Sequence, residues 1–369
     1  MWAWKMLFIK GVGASSGSSG TSKTFFGTTT RNSSNINEKR PETRTGGNQK
    51  RNMALQVAII GAGLGGPALA LELLDLPNVT CTIYELRPEG YEQGQHISLA
   101  PNAMRVMANI GVLEKLQAIG NTYEELHLRN AKGARIATFN NGSKDKYGFS
   151  AMRIHRRHVQ QVLIEECKAK GVEICHGMKL KSIREQHDRG QVDMTFENGQ
   201  TVQADFVVGA DGLHSVVRSH VVADSSSVSA HMLGVTGYLQ KKNLHSSVDR
   251  IGLPSHFIGH NGFIAIMPSD VSGNEIGFFS TMDFKEDRSR AEWDMLFNNK
   301  EAVRAILRER FCVAQGWSEL ADSMCATAEA ETLCSWPYVT CSTRTAYRSL
   351  FLLFLFSFSL PFLIFFFFY

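Results

Sequence analysis

Six residues, Gly61-Ala62-Gly63-Leu64-Gly65-Gly66, preceded by the apolar run Ala54 to Ile60 (ALQVAII), constrain this chain more than any others. A short, β-branched run of that kind reads as a buried parallel strand. In the GxGxxG pattern at its end, Gly61 permits the tight turn and Gly63 lets bare backbone approach a pyrophosphate. Gly66 lets the next helix pack close to the strand. A helix starting near Pro67 then points its first N–H groups at the phosphates. Val79 to Tyr84 reads as the second strand and leads to Glu85, a carboxylate placed to hold a ribose hydroxyl pair. Strand, glycines, helix, strand and acid follow in order over about thirty residues, the length of one βαβ unit. A glycine match alone would be an ordinary turn as often as a cradle; the ordered set is far more specific. It leaves open which dinucleotide is held, because FAD and NAD both use it.

A second cluster of turn-forming residues lies further along. Asp205 to Val208 reads as a buried strand ending in Gly209-Ala210-Asp211-Gly212, after which His214 and Ser215 open a helix. Glycines beside an acid admit close approach of a ligand, and Asp211 can accept from backbone N–H groups. From the residues alone, a plain strand-to-helix turn is an equal reading. Ile154 to Leu163 (IHRRHVQQVL) predicts a helix with Val159, Val162, Leu163 and Cys167 on one face and Gly171 as its stop. Between about Ala223 and Thr340 short alternating runs, such as Gly262 to Pro268 and Glu275 to Met282, precede one polar helix around Ala291 to Phe311.

The stretch GADGLHSVVR (Gly209 to Arg218) resembles the second fingerprint of the FAD-dependent aromatic hydroxylases, the family of salicylate and para-hydroxybenzoate hydroxylases. GQHISLAPNAMRVMANIGV (Gly94 to Val112) is similar to the segment that follows the Glu-tipped strand in salicylate-hydroxylase-like members. The resemblance runs from about Ala54 to Thr340. It implies an α/β fold: a Rossmann-like FAD/NAD(P)-binding domain over 53–222 with an interleaved α+β substrate domain over 223–340. It implies that Asp211 and Gly212 contact both FAD and NAD(P)H, and that Arg156 reaches the ribityl and phosphate part of the flavin. The later sheet would shape an aromatic pocket, with Phe257, Phe263, Phe278 and Phe279 as lining candidates. The implied activity is hydroxylation of an aromatic or other electron-rich small molecule with NAD(P)H and O2. No catalytic acid or base is marked. The family's third fingerprint, a Gly-Asp pair, has no counterpart, since no Gly-Asp dipeptide occurs. The chain therefore reads as cut off before the last piece of the cofactor site. Two other readings stand beside this one. An NAD-dependent dehydrogenase or reductase would share Gly61 to Glu85 but has no reason to carry the Asp211 stretch. A non-catalytic truncated fragment would bind a nucleotide weakly.

Composition excludes several classes. The formal charge is +4, but residues 1–52 hold nine Lys and Arg against Glu38 and Glu42, a balance of +7 that leaves −3 for the remainder. No basic surface for nucleic acid follows from that. Seven cysteines, with no CxxC pair, fit a reducing compartment and no zinc site. His155 and His158 are three apart on the expected helix without a third ligand in a recognisable spacing, so they read as a solvated face and no metal is expected. The Ser/Thr/Asn/Gly-rich leader is a disordered extension, a mitochondrial-type presequence, or sequence upstream of a start at Met53. From Ser349 to Tyr369 every residue but Ile364 and Tyr369 is Phe, Leu, Ser or Pro. That composition fits a translated pyrimidine-rich intron tract. The length also fits a tail anchor flanked by Arg344 and Arg348, the one route by which a membrane would enter. The expected location is cytoplasmic, with mitochondrial or tail-anchored alternatives.

Overall fold

The computed structural model describes residues 9–10, 54–91, 94–222, 227–286 and 288–341. The expectations for the apolar tail, and for the leader apart from the dipeptide Ile9–Lys10, lie outside the described residues. β1 (Leu55–Ile60) is buried from Val57 onward on both of its faces. α1 (Gly65–Leu73) returns the chain to β2 (Val79–Tyr84), which runs parallel to β1 with Ile60 beside Tyr84. Along β1 the side chains alternate. Val57 and Ile59 join the core under the helices, while Ala58 and Ile60 join a second core on the opposite face. Ile59 and Ile83 are wholly buried, and each such burial contributes roughly 1.5–3 kcal/mol.

The chain then builds a three-stranded antiparallel sheet. β3 (His96–Leu99) leads into α2 (Pro101–Asn109), and β4 (Asn121–Tyr123) follows. After an excursion through the hairpin β5 (Glu125–Asn130) and β6 (Arg135–Asn140) comes β7 (Ala151–His155). β3 and β4 both pair antiparallel with β7. α3 (Arg156–Ala169) starts directly after β7, with the strand's last residue, His155, as its N-cap. It buries Val159, Val162, Leu163 and Cys167, the face the periodicity predicts. Gly171, at φ +80°, stops it as a left-handed residue past the C-cap. β8 (Glu173–Cys175) then adds to β2. A meander of β9 (Leu180–Gln186), β10 (Gln191–Phe196) and β11 (Thr201–Ala204) covers the second core. It delivers β12 (Phe206–Gly209) parallel to β1 on the side away from β2, and α4 (Val216–Val221) follows. The parallel order is β12-β1-β2-β8, with Ile9–Lys10 antiparallel on the outer edge of β12.

A larger sheet follows. β13 (Ser227–Gln240), β14 (Ser255–Gly259), β15 (Gly262–Pro268) and β16 (Glu275–Asp283) precede α5 (Arg290–Asn298), α6 (Lys300–Arg310) and α7 (Glu319–Thr327), and β17 (Cys334–Cys341) closes the set. With β5 and β6 they make seven strands in the order β17-β13-β16-β15-β14-β5-β6. Residues 125–140 therefore belong to this sheet, so the expected boundary at 222 does not separate two contiguous domains. β5 pairs parallel with β14, about 130 residues further along. The single polar helix expected over Ala291 to Phe311 is two helices. They part at Asn299, whose side chain accepts from Ala302 N–H at 3.0 Å and so caps the second. Among the described residues no helix is long and apolar enough to cross a membrane.

Candidate functional site: a glycine cradle beside an aromatic-lined sheet face

The two glycine stretches meet. Gly61, at φ +108°, is in the left-handed region, and a Cβ there would lie 2.5 Å from the Ala210 carbonyl oxygen. A Cβ on Gly66 would lie 2.0 Å from the Gly61 carbonyl oxygen, so only glycine lets α1 begin this close to β1. Gly63 differs: its nearest neighbour would be Arg156 Nη2 at 3.5 Å, so the space over it is open and faced by a guanidinium. Arg156 is mostly buried, and among the described residues its Nε has no hydrogen-bond partner. Desolvation lowers its pKa, and the nearby Glu85 charge opposes that shift. The first N–H groups of α1 have no acceptor within the helix, so an anion between Gly63 and Arg156 would receive donors from both sides. Glu85 at the tip of β2 accepts from Ala62 N–H at 2.6 Å and from Arg87 N–H at 2.8 Å. Beside it runs a groove of about 270 Å³ lined by residues including Ala62, Glu85, Arg87, Tyr91 and Gln160.

Asp211 builds the adjoining turn. One of its oxygens accepts from Ser215 Oγ at 2.6 Å and the other from Val216 N–H at 2.8 Å, while Ser215 caps α4 by accepting from Arg218 N–H at 2.9 Å. Gly212 takes φ +74°, and its carbonyl accepts from Arg218 at 3.3 Å. Gly61, Gly63, Gly66, Glu85, Arg156, Asp211 and Gly212 thus gather at the C-terminal ends of β1, β2 and β12, where ligands of open α/β sheets bind.

The large sheet presents two faces. Phe257 and Phe278 are wholly buried under α5–α7, so these two lining candidates are core residues. Phe263 and Phe279 point the other way, because β15 and β16 pair Ala265 with Phe279 and side chains alternate along each strand. That face packs against β4 and β7 through Tyr123 and Ala151, with Met267, Trp336 and Tyr338 alongside. Phe279 stacks on Trp336 at 6.1 Å.

Sequence reasoning missed the most unusual residue of this region. Arg153, on β7, is 1% exposed. Its guanidinium donates to Ser98 Oγ at 3.2 Å, its Nε has no partner, and among the described residues it faces no carboxylate in an ion pair. Burial pulls its pKa down to about 10, against the influence of Tyr123. Trp336 Nε1 and Tyr338 Oη are also buried without a hydrogen-bond partner among the described residues. Such groups are costly unless something answers them. His256, on the same face, is pushed down to about 3 by burial and then by the Arg153 charge, so it is neutral.

The histidine expectation needs correction. His155 is not on a solvated helix face. It ends β7 as the N-cap of α3 and is 6% exposed, while His158 is half-buried. His155 Nε2 and His96 Nε2 each donate to Glu275 Oε1 at 2.9 Å. Burial pushes His96 down to about 3. Burial also opposes ionisation of Glu275, but the two imidazole donors outweigh it and hold the carboxyl below its usual range.

Comparison with known proteins bears on family and fold. The family model described as an FAD binding domain matches residues 54–330. The 3-amino-4-hydroxybenzoate 2-monooxygenase of Streptomyces cremeus is 34% identical over 174 residues, 46% of this chain and 43% of that protein. The salicylate hydroxylase of Pseudomonas putida is 24% identical over 297 residues, 76% of this chain and 66% of that protein. The chain thus spans between about two-fifths and two-thirds of the length of these relatives. Among solved structures, Klebsiella pneumoniae HpxO, complexed with FAD and uric acid, superposes with a TM-score of 0.67 at 19% identity. That match covers 80% of this chain and 70% of that one. The 2,6-dihydroxypyridine-3-hydroxylase of Arthrobacter nicotinovorans gives 0.62 at 17% identity over 78% and 73%. At these identities the two structures show a shared fold.

Proposed function

Because the chain belongs to the FAD binding domain family, we propose that it is part of an FAD-dependent monooxygenase that uses NAD(P)H and O2 to hydroxylate an anionic aromatic small molecule. The observation that carries the proposal is the open space over Gly63 faced by Arg156, whose buried Nε lacks a partner. These residues fit the pyrophosphate of FAD, with bare main chain on one side and an unanswered guanidinium on the other. Gly61 and Gly66 hold the loop and α1 in place, and Glu85 latches the loop through Ala62 N–H while offering its carboxylate to a ribose. Asp211 and Gly212 shape the neighbouring turn, where cofactor and NAD(P)H would pass. When bound, FAD would supply the redox chemistry with O2. Arg153, Tyr338 and Trp336 would orient the ring through their unanswered donors, and Phe263 and Phe279 would exclude water. Relatives are named for salicylate and aminohydroxybenzoate, both anions at neutral pH, and a lone buried Arg153 suits such a charge.

The test loads the full chain with FAD and follows NAD(P)H oxidation with salicylate and hydroxybenzoates under isotopically labelled O2. The proposal expects substrate-stimulated oxidation and one labelled oxygen in the product. A flavin-loaded chain that labels no aromatic acid, or a chain that takes NAD and refuses FAD, contradicts it.

A further inference from the structure

His96, His155 and Glu275 come from β3, the β7–α3 junction and the first residue of β16, and meet where the three-stranded antiparallel sheet contacts the large sheet. One nitrogen from each histidine and one carboxylate oxygen all lie within 4.8 Å of one another. The imidazole centroids are 3.7 Å apart and tilted by 37°, and Tyr238 presents its ring edge-on to both, at 5.7 and 5.2 Å. Gly277 makes room for the first ring, since a Cβ there would lie 2.8 Å from His96 Nδ1.

One histidine would suffice to pair with Glu275, so the second is surplus to an ion pair. It is held with its ring centroid 3.7 Å from that of the first, a proximity that penalises charge on both. We propose that His96, His155 and Glu275 bind one divalent transition-metal ion of the zinc type. Two imidazoles and a carboxylate are a donor set that such ions take, whereas calcium and magnesium prefer oxygen alone. Bonds of about 2.0–2.1 Å in a tetrahedral site put neighbouring donors roughly 3.3 Å apart. The observed N···O separations of 2.9 Å fall a few tenths of an ångström short of that. A small outward movement of the rings admits the ion. The Glu275 side chain is 24% exposed, which gives the ion a path in and leaves its remaining position to water. Bound there, the ion would fasten β3 and β7 to β16. The inference does not depend on what occupies the glycine cradle.

The test treats the full chain with a chelator, removes the chelator, and titrates in Zn2+ by calorimetry and Co2+ by visible absorption. The expected result is one equivalent of each, a cobalt spectrum of nitrogen–oxygen ligation, and a melting temperature that rises with Zn2+. His96→Ala and Glu275→Gln should each weaken binding by about a hundredfold or more, beyond the roughly 10- to 100-fold typical of groups outside the ligand set. His158→Ala, on the half-buried ring 5.6 Å from His155, should leave it unchanged. Uptake of no stoichiometric ion by the unaltered chain overturns the proposal, as does uptake that survives His96→Ala and Glu275→Gln. If those variants fail to fold, the cobalt spectrum of the unaltered chain decides: a resolved four-coordinate spectrum at one equivalent supports the site and its absence refutes it.

Discussion

Replacing Gly63 by alanine separates ligand binding from folding more cleanly than any other change in the cradle. The new Cβ would meet only Arg156 Nη2, at 3.5 Å, which is ordinary van der Waals contact. The free chain should therefore melt within a few degrees of the original, since the backbone there needs no left-handed φ. A phosphate oxygen accepting from both the loop and Arg156 needs about 2.7–2.9 Å to each, and the methyl group stands in that space. Losing one charge-assisted hydrogen bond costs about 1.5–3 kcal/mol. At about 1.4 kcal/mol per decade, FAD affinity should fall by about ten- to a hundredfold. Quenching of flavin fluorescence measures the affinity, and thermal melting of the free chain measures the fold. Gly66→Ala is the contrast. Its Cβ would lie 2.0 Å from a backbone oxygen that cannot move without shifting β1, so that variant should lose stability first, by about 1–3 kcal/mol or more. If Gly63→Ala binds FAD as tightly as the original chain, the pyrophosphate does not lie over Gly63.

Arg153→Met should raise KM for a carboxylate-bearing substrate by about ten- to a hundredfold, the same range as for a lost charged hydrogen bond. It should leave the melting temperature unchanged or higher, because an unpaired buried cation is removed. Steady-state kinetics beside a melt reads both, and a lower melting temperature with unchanged KM would make Arg153 structural. Glu85→Gln keeps the shape but drops the charge that holds Ala62 N–H, so FAD binding should weaken while NAD(P)H oxidation per bound flavin is retained; equal affinity in a titration would remove Glu85 from the site. Burial pushes the Cys167 thiol up to about 12, so at pH 8 it stays protonated and should resist alkylation until the chain unfolds, as peptide mass spectrometry can show.

What could be read from the sequence was local. The turn at Gly61, the helix after it and the strand ending at Tyr84 each carry their own signals within a few residues, and the structure places all of them. The hydrophobic face of α3 was legible for the same reason. The lining candidates could not be sorted, because alternation tells two faces apart but not which one is covered. The pairing of Ala265 with Phe279 and the position of α5–α7 decide that. Arg153 lies in a five-residue strand buried throughout, and nothing near it in sequence marks its lack of a partner. His96, His155 and Glu275 are 59 and 120 residues apart along the chain. Helical spacing paired His155 with His158 on a solvated face, whereas His155 is the last residue of a strand and shares its buried face.

The central claim is a cradle built for FAD rather than for NAD, and competitive equilibrium titration of the full chain tests it most directly. FAD should bind at one equivalent and far more tightly than NAD, with ADP displacing it weakly. A chain that prefers NAD, or that binds FAD no better than ADP, would contradict the account.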